Sequence, residues 1–294
     1  MNTIRKFLKI EIHLILMSLI FPVISCNELN EATISLPLIS TEPVLSILTT
    51  SARSGGIVLD EGGSVIIARG VCWSTETAPT VELDSKTFDG SGLGSFTSNI
   101  SDLSPGTTYY LRAYATNEAG TSYGNEINFV TAIAIGSIYK GGKVAYILQP
   151  GDPGYVEGEI HGLIATEGIT SLGIKWYTSN TLVTGATDLA LGAGKTNTDK
   201  IVAIQGTGNY AAKLCFDLIE SGFDDWYLPS YHEMIKLYTN RIQIGGFLDG
   251  ENYWTSSEVG GNGAYSNYVY AQVGPYTTPM SKPSDFYVRA VRNF

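Results

Sequence analysis

Apolar and polar residues alternate with a period of two in several short stretches between residues 37 and 131. Such alternation is typical of strands with one buried face, and clusters of Gly, Asp and Ser separate the stretches as turns do. Regular short strands joined by turns predict an all-β sandwich over 37–131. The predicted strands are 44–48, 65–73, 96–100, 109–115 and 126–130.

The pattern changes after residue 132, where helical periodicity appears. A stretch at 209–221 places apolar residues on one helical face, and Gly222 follows as a helix-ending residue. A second helix begins at Ser230, because Ser230 and Glu233 fit a capping box in which each side chain bonds the other residue's amide. Aromatic strands are predicted at 253–257, 268–270 and 286–292.

The N-terminus carries a charged start and a short apolar run at 12–24, too short to span a bilayer, which needs about 20 apolar residues. This pattern predicts a signal peptide over residues 1–25. The sequence Val23-Ile24-Ser25-Cys26 resembles the lipobox of bacterial lipoproteins. The resemblance implies that Cys26 becomes the lipidated first residue of the mature chain, that 26–36 form a lipidated tether, and that the protein is an outer-membrane lipoprotein of the cell envelope.

Residues 103–109, Leu-Ser-Pro-Gly-Thr-Thr-Tyr, resemble a stretch of fibronectin type III domains. The resemblance implies a tyrosine corner, in which the Tyr109 hydroxyl bonds back to the backbone, with Trp73 as the matching core aromatic. Tyr110, Arg112 and Tyr114 are expected on the outward face. The sandwich is interpreted as a spacer.

A second resemblance covers residues 136–294, which look like the Legionella collagen-like protein C-terminal domain family. It rests on His161-Gly162-Leu163-Ile164, Trp176, Asn197-Thr198, Ala211 to Cys215, Asp225 to Ser230 with Glu233, Tyr253 to Ser257 and Val288 to Arg292. The family is frequent in surface lipoproteins of the Bacteroidetes. It implies an α+β fold related to the C-type lectin-like fold and, where a role is known, adhesion to sulfated polysaccharide.

Charge restricts the partners of the chain. Removal of residues 1–25 leaves 15 basic and 27 acidic residues, a net charge of −12. Such a chain is repelled by nucleic acid and by anionic lipid surfaces, apart from its own acyl chains. It also disfavours a sulfated ligand. With Cys26 used for lipid, Cys72 and Cys215 remain and are interpreted as buried free thiols.

The sequence contains no arrangement that selects a catalytic site. The carboxylates of the second domain show neither a glycosidase pair nor EF-hand spacing, although loop oxygens of this kind would suit Ca²⁺. His161 and His232 form no motif, and the stretch 192–196 only imitates part of a phosphate loop. We therefore predict a protein without enzymatic activity, bound metal or cofactor.

Aromatic residues indicate binding instead. Trp226 and Trp254 are predicted to lie in the core, whereas the loops 260–267 and 274–279 are predicted to form a binding rim. The predicted ligand-binding residues are Tyr265, Asn267, Tyr276, Asp224 and Glu258.

The leading functional prediction is a lipid-anchored adhesion protein that recognises a glycan or extracellular matrix through its second domain. Two alternatives stay open. One is a structural or accessory component of an envelope or polysaccharide-uptake assembly. The other is an enzyme of the formylglycine-generating type, which shares a lectin-like fold.

Overall fold

The computed structural model describes residues 33–178, 182–259, 263–269 and 276–294, with the backbone alone for 263–269 and 276–280. Residues Ile34–Phe294 form one compact unit. No sheet among the described residues joins strands from both sides of residues 131–136. The division into two domains there stays a prediction. Cys26 and the predicted signal peptide lie outside the described residues. No described helix is long and apolar enough to cross a membrane.

The first half is a fibronectin type III-like β-sandwich of a three-stranded sheet, β1-β2-β4, and a four-stranded sheet. In the second sheet β5 pairs with β3 on one side, and with β6 and β7 in succession on the other. The strands are β1 Leu38–Leu45, β2 Ala52–Asp60, β3 Ala68–Ser74, β4 Gly94–Ile100, β5 Thr108–Asn117, β6 Gly120–Tyr123 and β7 Ile127–Val130.

The predicted tyrosine corner is confirmed. The Ser104 amide donates to the Tyr109 hydroxyl at 3.0 Å, which fixes the turn that leads into β5. The Tyr109 ring stacks on Phe129 from β7, and both rings belong to the sandwich core. Trp73 is half-buried against the same core.

Tyr114 does not face outward as expected. It is 5% exposed, and its hydroxyl donates to the Thr87 carbonyl at 2.6 Å, because the segment after β3 folds back over this face of the sheet. Gly70 lies beneath the ring, where a Cβ would come within 2.9 Å of it. Tyr110 and Arg112 are half-buried.

The sandwich begins slightly earlier than residue 37. The Ser35 amide donates to the Gly62 carbonyl at 2.7 Å, and the Asn117 side chain donates to the Ser35 carbonyl at 2.7 Å. The last residues assigned to the tether are therefore held by the sandwich before β1 starts.

In its described residues, the second half combines four helices with two main sheets. The sheets have the strand orders β16-β10-β9-β8 and β11-β15-β12-β13-β14, all antiparallel except the short parallel contact of β12 with β15. The elements are β8 Ile138–Tyr139, β9 Gly142–Ile147, β10 Gly162–Ala165, β11 Ser171–Ile174, α1 Gly194–Gln205, α2 Ala211–Phe216, α3 Tyr231–Thr239, α4 Arg241–Ile244, β12 Glu251–Val259, β13 Gly263–Val269, β14 Tyr276–Ser281, β15 Phe286–Val288 and β16 Val291–Asn293. The lectin-like classification stays a prediction.

The helices agree only partly with the sequence prediction. The capping box of α3 is confirmed, since the Glu233 amide donates to Ser230 Oγ and the Ser230 amide donates to the Glu233 carboxyl. The helix predicted at 209–221 is wrong after Phe216. Ser221 and Gly222 both have positive φ, and Glu220 and Phe223 exchange two backbone hydrogen bonds of 3.0 Å. Gly222 therefore forms a tight hairpin turn and does not cap a helix.

The tryptophans of the second half lie in its core. Trp176, Trp226 and Trp254 are at most 1% exposed, which confirms the core prediction for Trp226 and Trp254. Buried Cys72 and Cys215 are free thiols, as predicted. Arg289 is also fully buried and donates to three backbone carbonyls, those of Thr166, Glu167 and Gly245.

Candidate functional site

A groove of about 590 Å³ is the candidate site. It lies between the β9–β10 hairpin with its connecting loop, the segment that leads into α1 with the first turn of that helix, and the end of β16 with Phe294. Apolar side chains form much of its lining, and polar groups interrupt them. The apolar set includes Leu148, Leu163, Leu191 and Phe294, and the polar set is His161, Asp188, Thr196 and Asn293.

The wall before α1 is held in place by the capping residues of α3. Ser230 Oγ donates to the Ala190 carbonyl at 2.7 Å, and the Gly192 amide donates to Glu233 Oε1 at 3.0 Å. Gly194 must lack a side chain, because a Cβ there would lie 2.1 Å from Glu233 Oε2. One buried carboxyl therefore caps α3 and positions the groove wall.

A chain of polar contacts connects Glu233 with the groove. Glu233 Oε1 lies 3.3 Å from the Tyr227 hydroxyl oxygen, which lies 2.8 Å from Oδ1 of the groove residue Asn293. Burial raises the pKa of Glu233 to about 7, although hydrogen bonds from the Ser230 and Gly192 amides and from Tyr227 and Ser230 oppose the rise. The single Tyr227 proton cannot bond both neighbours. A protonated Glu233 relieves this conflict, since it donates to Tyr227 while Tyr227 donates to Asn293.

His161 lies on the wall formed by the β9–β10 hairpin and its connecting loop. Its Nε2 lies 2.7 Å from Glu159 Oε2, and its Nδ1 lies 3.2 Å from the Phe294 carbonyl oxygen. Asp188 lies on the other wall, in the segment before α1, where its Oδ1 accepts from the Ala190 amide at 2.9 Å. The Asp188 carboxylate is exposed, and its second oxygen is available to a hydroxyl or ammonium donor.

A smaller cavity of about 390 Å³ adjoins the groove and shares Pro153, Ala190 and Leu191 with it. Asp152 and Lys236 line this cavity, and Tyr146 connects them. The Tyr146 hydroxyl donates to Asp152 at 2.6 Å and accepts from Lys236 Nζ at 2.9 Å. Burial alone would raise the pKa of Asp152, but the bonds from Tyr146 and the Gln149 amide and the charge of Lys236 lower it overall.

Glu258 is not accessible to a ligand, so its prediction as a ligand-binding residue is wrong. The residue is 2% exposed and forms an ion pair with buried Lys282. Its Oε2 accepts from the Thr184 amide and hydroxyl and from the Gly185 amide, at 2.8 to 2.9 Å. The carboxylate braces this segment against β12.

Asp224 is exposed and borders a different cavity of about 430 Å³, next to Phe216 and Trp226. It does not line the groove.

The side chains of Tyr265, Asn267 and Tyr276 lie outside the described residues. The backbone shows that Tyr265 and Asn267 belong to β13 and not to a loop. Tyr276 starts β14 and pairs with Tyr268. The predicted loop at 260–267 is therefore wrong from residue 263 onward, because the chain continues there as a strand of an antiparallel hairpin.

The groove residues were not predicted as a site. They come from four separate segments, and no spacing in the sequence connects His161 with Asp188, Thr196 or Asn293. No group of three metal-ligating side chains exists among the described residues.

The sequence matches no known protein-family profile and no curated protein. A solved fimbrial protein from Bacteroides ovatus is 11% identical, with 78% of this chain and 64% of that chain covered and a TM-score of 0.41. The sensor domain of an anti-sigma factor from Pseudobacteroides cellulosolvens is 22% identical over 35% of this chain and 100% of its own, with a TM-score of 0.26. The sixth fibronectin type III domain of human fibronectin type III domain containing protein 3 is 23% identical over 36% of this chain and 95% of its own, with a TM-score of 0.28.

Proposed function

We propose that the chain is a lipid-anchored cell-envelope protein that binds a glycan or matrix ligand in the groove of its second half. The lipid on Cys26 attaches it to the outer membrane, and the fibronectin type III-like sandwich serves as a spacer. The groove is the observation that carries this proposal. Its volume of about 590 Å³ is within the range of ligand sites.

The composition of the groove suits a sugar ring. Phe294 and the leucines offer apolar surface to the C–H face of a pyranose. Asp188, Thr196 and Asn293 offer an acceptor, a hydroxyl and an amide to its hydroxyl groups. Asp188 and Thr196 lie on the wall that Ser230 and Glu233 fix from behind, and the Asn293 side chain contacts the Tyr227 hydroxyl, so little side-chain or loop ordering is needed on binding.

Binding of glycans to the full chain on an array, followed by titration of each glycan that binds, tests this proposal. Ala190→Trp is the diagnostic variant, because Ala190 is exposed and lines both cavities. The indole should fill the groove and weaken binding at least about tenfold while the fold is kept. Ile242→Trp is the matched control, since Ile242 is 80% exposed and lines neither cavity. Equal affinities of the two variants would place the ligand elsewhere.

The alternative of a structural component bound to protein partners predicts a different outcome. Such a protein would bind no glycan, and Ala190→Trp would leave its assembly unchanged.

A further inference from the structure

Among the described residues, the lining of the groove carries one acidic side chain, Asp188. None of the described residues that line it is Lys or Arg. Asp188 faces solvent, and Glu159 accompanies His161 at a distance of 2.7 Å. A ligand in the groove therefore meets the Asp188 carboxylate and the His161 imidazole, and that imidazole is itself bonded to the Glu159 carboxylate just outside the lining.

The N-terminal end of α1 would normally attract an anion, since its free amides carry partial positive charge. In this protein the Glu233 carboxyl covers that end from within. It accepts from the Gly192 amide at 3.0 Å and fills the space beside Gly194. A carboxyl therefore already lies beside the helix end and opposes part of its attraction for an anionic ligand.

The adjoining cavity does not supply a free cation either. Lys236, which lines it, lies over the Tyr146 ring at 4.3 Å from the ring centre. The Tyr146 hydroxyl connects Lys236 to Asp152, so the two opposite charges offset each other.

We propose that the groove selects glycans whose sugars carry hydroxyl, acetamido or amino groups, and rejects sulfated and uronic-acid glycans. This inference rests on the proposed function, because it names the ligand class of the same groove. A sulfate placed beside Asp188 would lose part of its hydration and would meet no Lys or Arg side chain among the described residues of the lining. A hydroxyl or ammonium group would instead donate to Asp188.

Matched polymer pairs test the selection on the full chain in detergent micelles. The pairs are dextran with dextran sulfate and curdlan with curdlan sulfate, titrated at about 0.15 M salt so that the contribution of long-range charge is reduced. For a pair whose neutral member binds, we expect the sulfated member to bind at least about tenfold more weakly. The reason is that like charges repel each other at close range, even where salt partly screens them. Tighter binding of a sulfated member would overturn the inference and leave the proposed glycan binding intact.

A variant without the carboxylate charges of Glu159 and Asp188 tests whether the selection depends on charges at the groove or on the net charge of the protein. The double variant Glu159→Gln with Asp188→Asn keeps an acceptor oxygen at both positions and should shrink the difference between neutral and sulfated polymers about tenfold. The control Glu76→Gln with Asp249→Asn removes the same charge from exposed positions outside the groove. An equal effect of both doubles would overturn the inference in favour of net charge. Binding of no polymer and of no glycan on the array would refute the proposed function, and this inference with it.

Discussion

Titration of Glu233 should make the C-terminal half less stable as the pH rises. Burial raises the pKa of this carboxyl from 4.5 to about 7 in the folded protein. A carboxyl whose folded-state pKa exceeds its unfolded-state value binds its proton more tightly when folded. Its contribution to stability is therefore fully present below pH 4.5 and is lost as the pH rises through about 7.

The size of the effect follows from the interval between the two pKa values. With about 1.4 kcal/mol for each pKa unit, the loss amounts to about 3 kcal/mol of unfolding free energy. The contacts give the physical reason. Ionised Glu233 and the side-chain oxygen of Asn293 compete for the one proton of the Tyr227 hydroxyl. When Glu233 is protonated, it can donate to Tyr227 while Tyr227 donates to Asn293.

Urea unfolding followed by tryptophan fluorescence between about pH 4.5 and 7.5 measures this loss, since Trp176, Trp226 and Trp254 all lie in the C-terminal half. Glu233→Gln should flatten the pH dependence, while Asp249→Asn, at an exposed position, should preserve it. A wild-type stability that stays constant or rises over this interval would refute the reasoning. So would a Glu233→Gln variant with the same slope.

Three further predictions concern other parts of the chain. Lys282→Met should cost about 3–5 kcal/mol, because it leaves the Glu258 carboxylate buried without its cation, and the double variant with Glu258→Gln should recover much of that loss in urea unfolding. Tyr109→Phe should lower the unfolding free energy of the sandwich by about 1 kcal/mol through the lost bond to the Ser104 amide, and an unchanged urea midpoint would contradict this. Cys26→Ala should abolish incorporation of labelled fatty acid in cells, and persistent labelling would disprove the anchor.

The sandwich was predictable because its information is local. Period-two alternation marks strands whose two faces meet different surroundings, and the stretch 103–109 specifies one turn with one hydrogen bond. Two strands were missed, since no predicted strand covers β2 or β6. A further exception is Tyr114, which sits at a position that alternation assigns to the surface. The Tyr114 side chain is buried by a segment distant in sequence, and no local sequence pattern predicts such a contact.

The helix α1 shows why the candidate site was less predictable. Its buried residues include Asn197, Thr198 and Gln205, and polar residues do not produce a hydrophobic stripe. Each is buried because it has a distant partner. Asn197 donates to the Asp188 carbonyl, Thr198 accepts from the Leu228 amide, and Gln205 accepts from the Thr178 amide. A helix stabilised by such bonds becomes visible only when the partner segments are in place.

The distribution of the groove along the chain has a consequence for the order in which it can form. Its walls contain residues near 148–163 and 188–196, but it is completed by Asn293 and Phe294. Its inner support, Glu233, also follows the wall that it holds. During synthesis from the N-terminus, the wall segments therefore leave the ribosome before the residues that fix and close them. The groove is therefore complete only after the last residues of the described chain have been made and have folded onto the earlier segments.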